Sequence, residues 1–313
     1  KLPEAAPQSL GKAMVNILPI EPDETINTVM PMPEDEQSWS ALNVVFATAS
    51  GNIRRNNLSD FTNIKRNGKI AMKLQDGDDL VGVMPCAETD DVLLATRDGK
   101  AIRFGVDSLR VFRGRDSTGV RGIRLMGDDR VVSMSVISND ANQFILSVTE
   151  NGYGKRTPTD DYRRSGRGGQ GVANIETSPR NGKVMASFAV VDDDQLMLVT
   201  NMGQVIRIRV HGGDGDSIRI ASRKTQGVRL FDVADDDSEK VVSAGLVRET
   251  DDEDAANTGA EDTGAEIAET VAVDPSADTP PVEQEAAQKT EQDAGQDAWQ
   301  DESGDSENEG PAQ

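Results

Sequence analysis

The chain has 313 residues, of which 55 are acidic and 33 basic, and its formal net charge is −22. So acidic a total argues at first against a nucleic-acid partner. The single cysteine excludes an internal disulfide framework and favours a reducing compartment. The sequence shows no signal peptide and no apolar run near the roughly 18 residues of a membrane span, so we expect no membrane partner.

The acidic excess lies at one end of the chain. Segment Glu249–Gln313 contains 21 acidic residues and one basic residue, Lys289. Between Arg97 and Arg229, by contrast, there are 22 basic and 15 acidic residues. The sequence pI of about 4.4 therefore describes the C-terminal segment and hides a locally basic body.

A β-prone run with a turn glycine and a basic second strand occurs four times. The copies are Val44–Arg55, Val92–Arg103, Phe144–Arg156 and Leu196–Arg207. Their turn glycines, Gly51, Gly99, Gly152 and Gly203, are separated by 48, 53 and 51 residues. Apolar β-formers around a glycine that can adopt positive φ predict a β-hairpin in each copy.

Two further elements follow each hairpin. The first is a basic stretch, a glycine and an apolar residue, with glycines at Gly68, Gly119, Gly171 and Gly227. The second is an acidic or polar turn leading into a strand, around Asp79, Asp129, Gly182 and Glu239. Lys1–Met32 holds only these two elements, with Gly11 and Glu24 in the matching places, so we expect a fragment that lacks the front half of one repeat.

Repeats of about 50 residues with four short strands each are typical of blades arranged round an axis. Helical solenoids are excluded because the runs are rich in Val, Ile and Thr, and a parallel β-helix normally has a shorter repeat. The sequence therefore predicts an all-β, propeller-like domain over residues 1–248. Segment 249–313 is expected to be a disordered acidic tail, because it cannot bury enough apolar surface to offset its ordering entropy.

The sequence offers few groups for catalysis or metal binding. We expect His211, beside two glycines, to be a surface residue rather than a base. Cys86 is expected to be a small strand or turn residue. The aspartate runs Asp76–Asp79 and Asp192–Asp194 lack the alternating spacing of a calcium loop and are interpreted as turns. The sequence therefore predicts no catalytic residue and no metal site.

Basic residues, in contrast, recur at equivalent places in the repeats. Because equivalent residues of stacked repeats share one rim, we expect a basic belt there; ordinary solvated strand faces are the alternative. Glycines beside the charges, as in Gly166–Gly171, favour phosphate contacts by backbone amides. The candidate DNA-binding residues are Arg54, Arg55, Lys65, Arg66, Lys69, Arg103, Arg113, Arg115, Arg121, Arg124, Lys155, Arg156, Arg163, Arg164, Arg167, Arg207, Arg209, Arg223, Lys224 and Arg229.

The partner of such a belt follows from what the sequence lacks. With seven Phe, two Tyr and two Trp, it has few stacking platforms for single strands. It also has no basic recognition helix for the major groove. The prediction is duplex DNA, held by its phosphates with weak sequence preference. A propeller scaffold that binds acidic proteins is the rival, although the Trp-Asp signatures of such scaffolds are absent.

Several motifs resemble the C-terminal domain of the DNA gyrase A subunit. They are Thr118–Arg124 (TGVRGIR), Asn151–Thr157 (NGYGKRT), Asn67–Leu80 (NGKIAMKLQDGDDL) and Val15–Ile20 (VNILPI). The resemblance covers roughly Lys1–Val247. It implies a six-bladed β-pinwheel, here with about five blades, whose neighbouring blades exchange strands and whose basic perimeter wraps duplex DNA to direct negative supercoiling.

The resemblance also implies a setting for the chain. It would act in the bacterial cytoplasm, in a heterotetramer formed by the rest of the gyrase A subunit with the gyrase B subunit. Other domains would use ATP and Mg²⁺, so no cofactor is expected here. The family's catalytic tyrosine follows an arginine in the other half of its polypeptide, whereas Tyr153 follows Gly152 and Tyr162 follows Asp161. We therefore expect no catalytic residue in this chain.

The family's diagnostic box, Gln-basic-Arg-Gly-Gly-basic-Gly, is matched only in part. Ser165–Gly171 (SGRGGQG) keeps Arg167 and the last three glycines but lacks the glutamine and both variable basic residues. We interpret it as the equivalent loop of a later blade and as an auxiliary contact. The acidic tail, tethered beside a basic rim, either competes with DNA for that rim or only aids solubility.

Overall fold

The computed structural model describes residues 11–20, 26, 28–30, 32–62, 64, 68–138, 142–212, 217–234 and 238–247. Its described secondary structure is β-strands with short 3-10 turns, as the repeat pattern predicts. The predictions for Lys65, Arg66 and the segment 249–313 lie outside these residues. So does much of Lys1–Met32, where the described part contains one 3-10 turn, Met14–Asn16.

Each of the four predicted hairpins forms, and each has a third long strand. The strands are β1 Asn43–Thr48, β2 Asn52–Asn57, β3 Leu80–Cys86, β4 Asp91–Thr96, β5 Lys100–Gly105, β6 Val120–Arg121, β7 Val131–Ile137, β8 Phe144–Thr149, β9 Tyr153–Pro158, β10 Val172–Ala173, β11 Val184–Val190, β12 Gln195–Thr200, β13 Val205–Arg209, β14 Val228–Arg229 and β15 Val241–Val247. The remaining 3-10 turns are Glu36–Ala41, Leu58–Phe61, Val106–Ser108 and Thr159–Asp161.

Neighbouring repeats exchange one strand. The sheets have the orders β3-β1-β2-β6, β7-β4-β5-β10, β11-β8-β9-β14 and β15-β12-β13. In the first three, the outermost two-residue strand comes from the repeat that follows: β6, for example, follows the β4–β5 hairpin but pairs with β2. The fourth sheet has three strands among the described residues. The exchange joins the blades as the pinwheel resemblance predicts.

The apolar core lies between successive sheets. The inner strands pack in sequence, β3 against β7, β7 against β11 and β11 against β15. One cluster joins Val45 and Ile53 of the first sheet to Leu94 and Phe104 of the second, together with Ile123 beyond β6. Because neighbouring sheets cover them, the hairpin strands of the first three sheets are largely buried on both faces: in β4 all six residues are buried.

The hairpin turns are closed by glycine in every repeat, but the space around the turns differs. Gly99 and Gly203 both have positive φ, at 86° and 84°. A Cβ on Gly99 would lie 2.2 Å from the Ile175 carbonyl oxygen, because the following repeat crosses over this turn. At Gly203 a Cβ would have nothing within 4 Å. The backbone conformation therefore requires glycine at both turns, whereas the close approach of the following repeat requires it only at Gly99.

Alanine substitutions separate these two requirements. Gly203→Ala should cost about 1–2 kcal/mol of unfolding free energy, the ordinary cost of a side chain in the left-handed region. Gly99→Ala should cost about 1–3 kcal/mol more, because the methyl group forces backbone apart. Denaturant unfolding of the two variants measures the difference. Equal losses would contradict the close crossing of the Gly99 turn by the next repeat.

Candidate nucleic-acid interface

Three loops lead into the outermost strands, and we call them the perimeter loops: residues 110–119, 163–171 and 219–227. Each starts beside the second hairpin strand of the preceding repeat, through the parallel bridges Arg55↔Val111, Arg103↔Arg164 and Arg156↔Ile220. Each ends in a glycine with positive φ. These glycines cross the strand below so closely that a Cβ on Gly171 would lie 2.3 Å from the Ala101 carbonyl oxygen. The loops therefore run along the outer edge of three successive sheets.

The structure divides the candidate residues by exposure. The exposed ones are Arg113, Arg121, Arg124, Arg163, Arg164, Arg167, Arg207, Arg209, Lys224 and Arg229. Lys69, Arg103, Arg115 and Arg223 are half-buried, and Arg54, Arg55, Lys155 and Arg156 are buried. The exposed set is concentrated on the perimeter loops and on the strands that directly follow them.

The expectation that all the basic residues lie on the rim is therefore wrong for the four buried ones. The hairpin pattern predicts only the strand on which these residues lie, and not what covers its outer side. In β2 the residues Ile53–Asn56 are buried on both faces, because the next repeat packs over its outer side. These four side chains thus lie inside the protein and add no exposed charge to the rim: Arg54, Arg55, Lys155 and Arg156.

Three arginines at one repeat position connect neighbouring repeats. Arg55, Arg103 and Arg156 pair in register with Val45, Leu93 and Leu146 of their hairpins. Each donates to carbonyl oxygens of the following repeat. The contacts are Arg55 Nη1 to Val106 at 3.0 Å and Leu109 at 3.2 Å, Arg103 Nη1 to Thr159 at 2.8 Å, and Arg156 Nε to Ile218 at 2.8 Å. We call these three residues the inter-repeat arginines.

Each inter-repeat arginine also has a carboxylate partner: Glu88 for Arg55 at 3.3 Å, Asp91 for Arg103 at 2.7 Å, and Asp192 for Arg156. Charge-assisted bonds of this kind are stronger than neutral ones and fix geometry. Arg207 occupies the same position, in register with Met197. It is exposed, and within the described residues β13 carries no outer strand.

The exposed candidate residues differ in whether the protein holds their side chains in place. Arg164 pairs with Asp91 at 2.9 Å and with Asp107 at 3.0 Å, and Arg167 donates to the Ser108 and Arg121 carbonyl oxygens. These side chains are held in place by the protein. In contrast, Arg113, Arg121, Arg124, Arg163, Arg209 and Lys224 make no side-chain hydrogen bond or ion pair to any other described residue, so their charges are available to an external anion.

Sequence reasoning missed three exposed basic residues near the perimeter loops. Arg110 and Arg219 each directly precede the residue that forms the parallel bridge, as Arg163 does. Aligning the loops on their final glycines would have found Arg219 but not Arg110, because the first loop is one residue longer. Arg180 lies 4.9 Å from the Tyr153 ring centroid, and Arg229 lies 5.5 Å from it. Both arginines donate to the Tyr153 hydroxyl, which lowers the pKa of that phenol. Nothing in the sequence pattern indicates this cluster.

The glycine-rich string Ser165–Gly171 lies against the preceding repeat. The Gly168 amide donates to the Gly122 carbonyl at 2.6 Å, and the Arg124 amide donates to the Gly169 carbonyl at 2.8 Å. Gly168 adopts a φ of 80°. The loop thus brings Arg121, Arg124 and Arg167 next to each other across a repeat boundary, on an exposed surface.

Of the two groups considered for catalysis, Cys86 is a buried strand residue and His211 is an exposed residue. Cys86 is buried in β3, and burial raises the pKa of its thiol to about 12. His211 is exposed and has Ser217 Oγ 2.9 Å from its Nδ1. Among the residues that the structure describes, no group of three or more His, Cys, Asp or Glu side chains could hold a metal ion. None of the described helices is long and apolar enough to cross a membrane.

Comparison with known proteins gives consistent matches. The sequence model of the family described as "DNA gyrase C-terminal domain, beta-propeller" matches residues 42–87, 90–138, 143–190 and 194–248. The DNA gyrase A subunit of Rickettsia bellii is 41% identical, with 85% of this chain and 34% of the relative covered. Its Escherichia coli counterpart is 41% identical, with 82% and 28% covered.

Two solved structures share the fold. The C-terminal domain of DNA topoisomerase IV gives a TM-score of 0.67 at 23% identity, covering 77% of this chain and 72% of that one. The DNA gyrase A C-terminal domain gives 0.65 at 24%, covering 75% and 74%. The chain spans about a third of the length of the gyrase A relatives. Each of the four ranges matched by the family model contains one hairpin repeat, and together they cover more than half of the chain. The chain therefore belongs to the DNA gyrase C-terminal domain family, with its β-propeller fold.

Proposed function

We propose that this chain binds and wraps non-specific duplex DNA around its perimeter loops, as the C-terminal domain of a gyrase A subunit. The observation that carries the proposal is the recurrence of exposed cations on three perimeter loops at the edges of successive sheets. In the proposed setting, the bacterial cytoplasm, the chain works with the rest of the gyrase A polypeptide and with the gyrase B subunit. ATP and Mg²⁺ are used by other domains, and wrapping directs the holoenzyme toward negative supercoiling.

The energetics require many contacts rather than one. Bending duplex DNA by 40–90° over 20–30 base pairs costs about 1–6 kcal/mol. A row of arginines and lysines can offset this cost, since each phosphate contact releases condensed counterions. The six exposed candidate residues without a hydrogen bond or ion pair to described residues, together with the tethered Arg164, Arg167 and Arg229, supply such a row. A scaffold for acidic proteins would need no such recurrence of cations at the edges of successive sheets, and family membership does not favour it.

The salt dependence of binding tests the proposal. About eight phosphate contacts give a slope near −7 in a plot of log affinity against log salt concentration. Fluorescence anisotropy with a labelled duplex of random sequence, repeated from low to physiological salt, measures this slope. A duplex of unrelated sequence should give the same value. A slope near −2 would overturn the proposed belt.

A further inference from the structure

Lys155 is a buried cation without a carboxylate partner. Its side chain is fully buried, and its ammonium donates to Thr157 Oγ1 at 2.5 Å. Among the described residues no carboxylate lies within ion-pair distance of it, whereas each inter-repeat arginine has one. A buried charge is costly unless it is paired. Lys155 therefore lacks a counterion that its surroundings call for.

A cavity opens beside this lysine. It has a volume of about 380 Å³ and lies under the third perimeter loop, bounded by Lys155, Arg219, Ser222, Thr225 and Gly227. Arg219 is exposed at its edge. The Arg219 guanidinium makes no hydrogen bond or ion pair within the described part of the chain, although its backbone carbonyl accepts from the Arg156 amide at 2.9 Å. Two cations, two hydroxyl groups and a loop backbone therefore surround a space whose described lining residues include no carboxylate.

Both a cation, Arg223, and a carboxylate, Asp161, act on Lys155, and the effect of the cation is the larger. Burial, and then Arg223, lower the pKa of Lys155 to about 8, and Asp161 opposes the shift. Tyr162, packed nearby, stays neutral because burial raises the pKa of its phenol. An anion in the cavity would raise the pKa of Lys155, so binding such an anion near pH 8 would take up a proton.

The preceding repeat provides an internal comparison. A cavity of about 340 Å³ lies under the second perimeter loop, next to Arg163 and Gly169, but the residue equivalent to Lys155 is Ile102. In the first repeat the equivalent residue is Arg54, fully buried. Its Nη2 has no hydrogen-bond partner, and neither does the neighbouring Ser117 Oγ. A buried cation with no carboxylate at ion-pair distance among the described residues therefore occurs under two of the perimeter loops.

We propose that the cavity beside Lys155 binds a phosphate group, with Lys155 and Arg219 as its cationic contacts. The phosphate belongs either to the DNA backbone, which rests on the proposed function, or to free inorganic phosphate. Because Lys155 is closed off from solvent, the perimeter loop 219–227 must shift its side chains to admit the oxyanion. Lys155 is then a ligand contact inside the protein, in addition to the exposed belt.

The test compares Lys155→Met with Ile102→Met in the 313-residue chain and in the complex of the full-length gyrase A and B subunits. Duplex affinity is measured against salt at pH 7 and against pH from 7 to 9.5. Lys155→Met should make the salt slope shallower by about 0.9. In the unsubstituted protein the affinity should fall by up to about tenfold per pH unit above 8, since one proton is taken up on binding. Lys155→Met should remove that fall, and Ile102→Met should change neither result.

Calorimetry of the unsubstituted protein at pH 8, in buffers of different ionisation enthalpy, measures proton uptake without any variant. Uptake on binding DNA supports a backbone phosphate, and uptake on titrating inorganic phosphate alone supports free phosphate. No uptake with either, or a Lys155→Met protein that takes up as many protons as the parent with both, would overturn the proposal. A parent protein that fails to bind DNA but takes up a proton with inorganic phosphate would refute only the proposed function.

Discussion

Replacing Arg103 with methionine is expected to reduce the free energy of unfolding by about 3 kcal/mol. Arg103 is 13% exposed and pairs with Asp91, which is 1% exposed. It also donates to the Thr159 carbonyl oxygen of the next repeat. Its removal leaves the Asp91 carboxylate with one ion-pair partner among the described residues, Arg164, whose Nε lies 2.9 Å away. Chemical denaturation of the variant and the parent measures the loss.

Arg163→Met is the matched control, because Arg163 is exposed and its side chain makes no hydrogen bond or ion pair to other described residues. It should change stability by no more than about 0.5 kcal/mol while weakening DNA binding. If Arg103→Met unfolds at the parent's denaturant concentration and binds DNA as weakly as Arg163→Met, the inter-repeat role is wrong. Arg103 would then belong to the DNA contact surface, as the sequence pattern first indicated.

Removing the available perimeter charges is expected to abolish most DNA affinity without unfolding the protein. The variant replaces Arg113, Arg121, Arg124, Arg163 and Lys224 with glutamine. Five lost phosphate contacts should change the salt slope by about 4.5 and weaken binding at low salt by roughly two to three orders of magnitude. Stability should stay near the parent's because these side chains have no partners to lose. Anisotropy titrations and thermal unfolding measure the two effects.

The control removes positive charge away from the perimeter. Arg130 and Lys183 are exposed and directly precede the inner strands β7 and β11. Arg130→Gln combined with Lys183→Gln should alter the salt slope much less per removed charge than the perimeter variant does. If the two variants weaken binding equally per charge, DNA responds to net charge and not to the position of the belt.

The hairpins were predictable because their turns depend on local geometry. A turn glycine every 48 to 53 residues, flanked by β-formers, identifies β1–β2, β4–β5, β8–β9 and β12–β13. The third long strand of each repeat was also indicated, by the polar turn that precedes it. The exchange of β6, β10 and β14 between repeats entered only through the family resemblance, since a two-residue strand carries no sequence period of its own.

The exposed basic surface was only partly predictable, for a related reason. Arg54 and Arg55 are adjacent in β2, and alternation would expose one of them. Both are buried, because the loop of the following repeat covers the strand's outer side. Whether a strand arginine faces solvent or a neighbour's carbonyl therefore depends on a segment about 50 residues away. Loop residues such as Arg113 and Arg163 are exposed, as expected, because no later described segment packs over them.

The most direct measurement is the linking number of nicked circular DNA that is sealed by ligase while bound, without ATP, to the complex of the full-length gyrase A and B subunits. If the perimeter wraps duplex DNA as the resemblance implies, each bound complex should shift the linking number positively, and the shift should grow with protein until saturation. The five-residue perimeter variant, at concentrations giving equal occupancy, should produce a smaller shift. Bound DNA whose linking number stays that of free DNA would contradict wrapping.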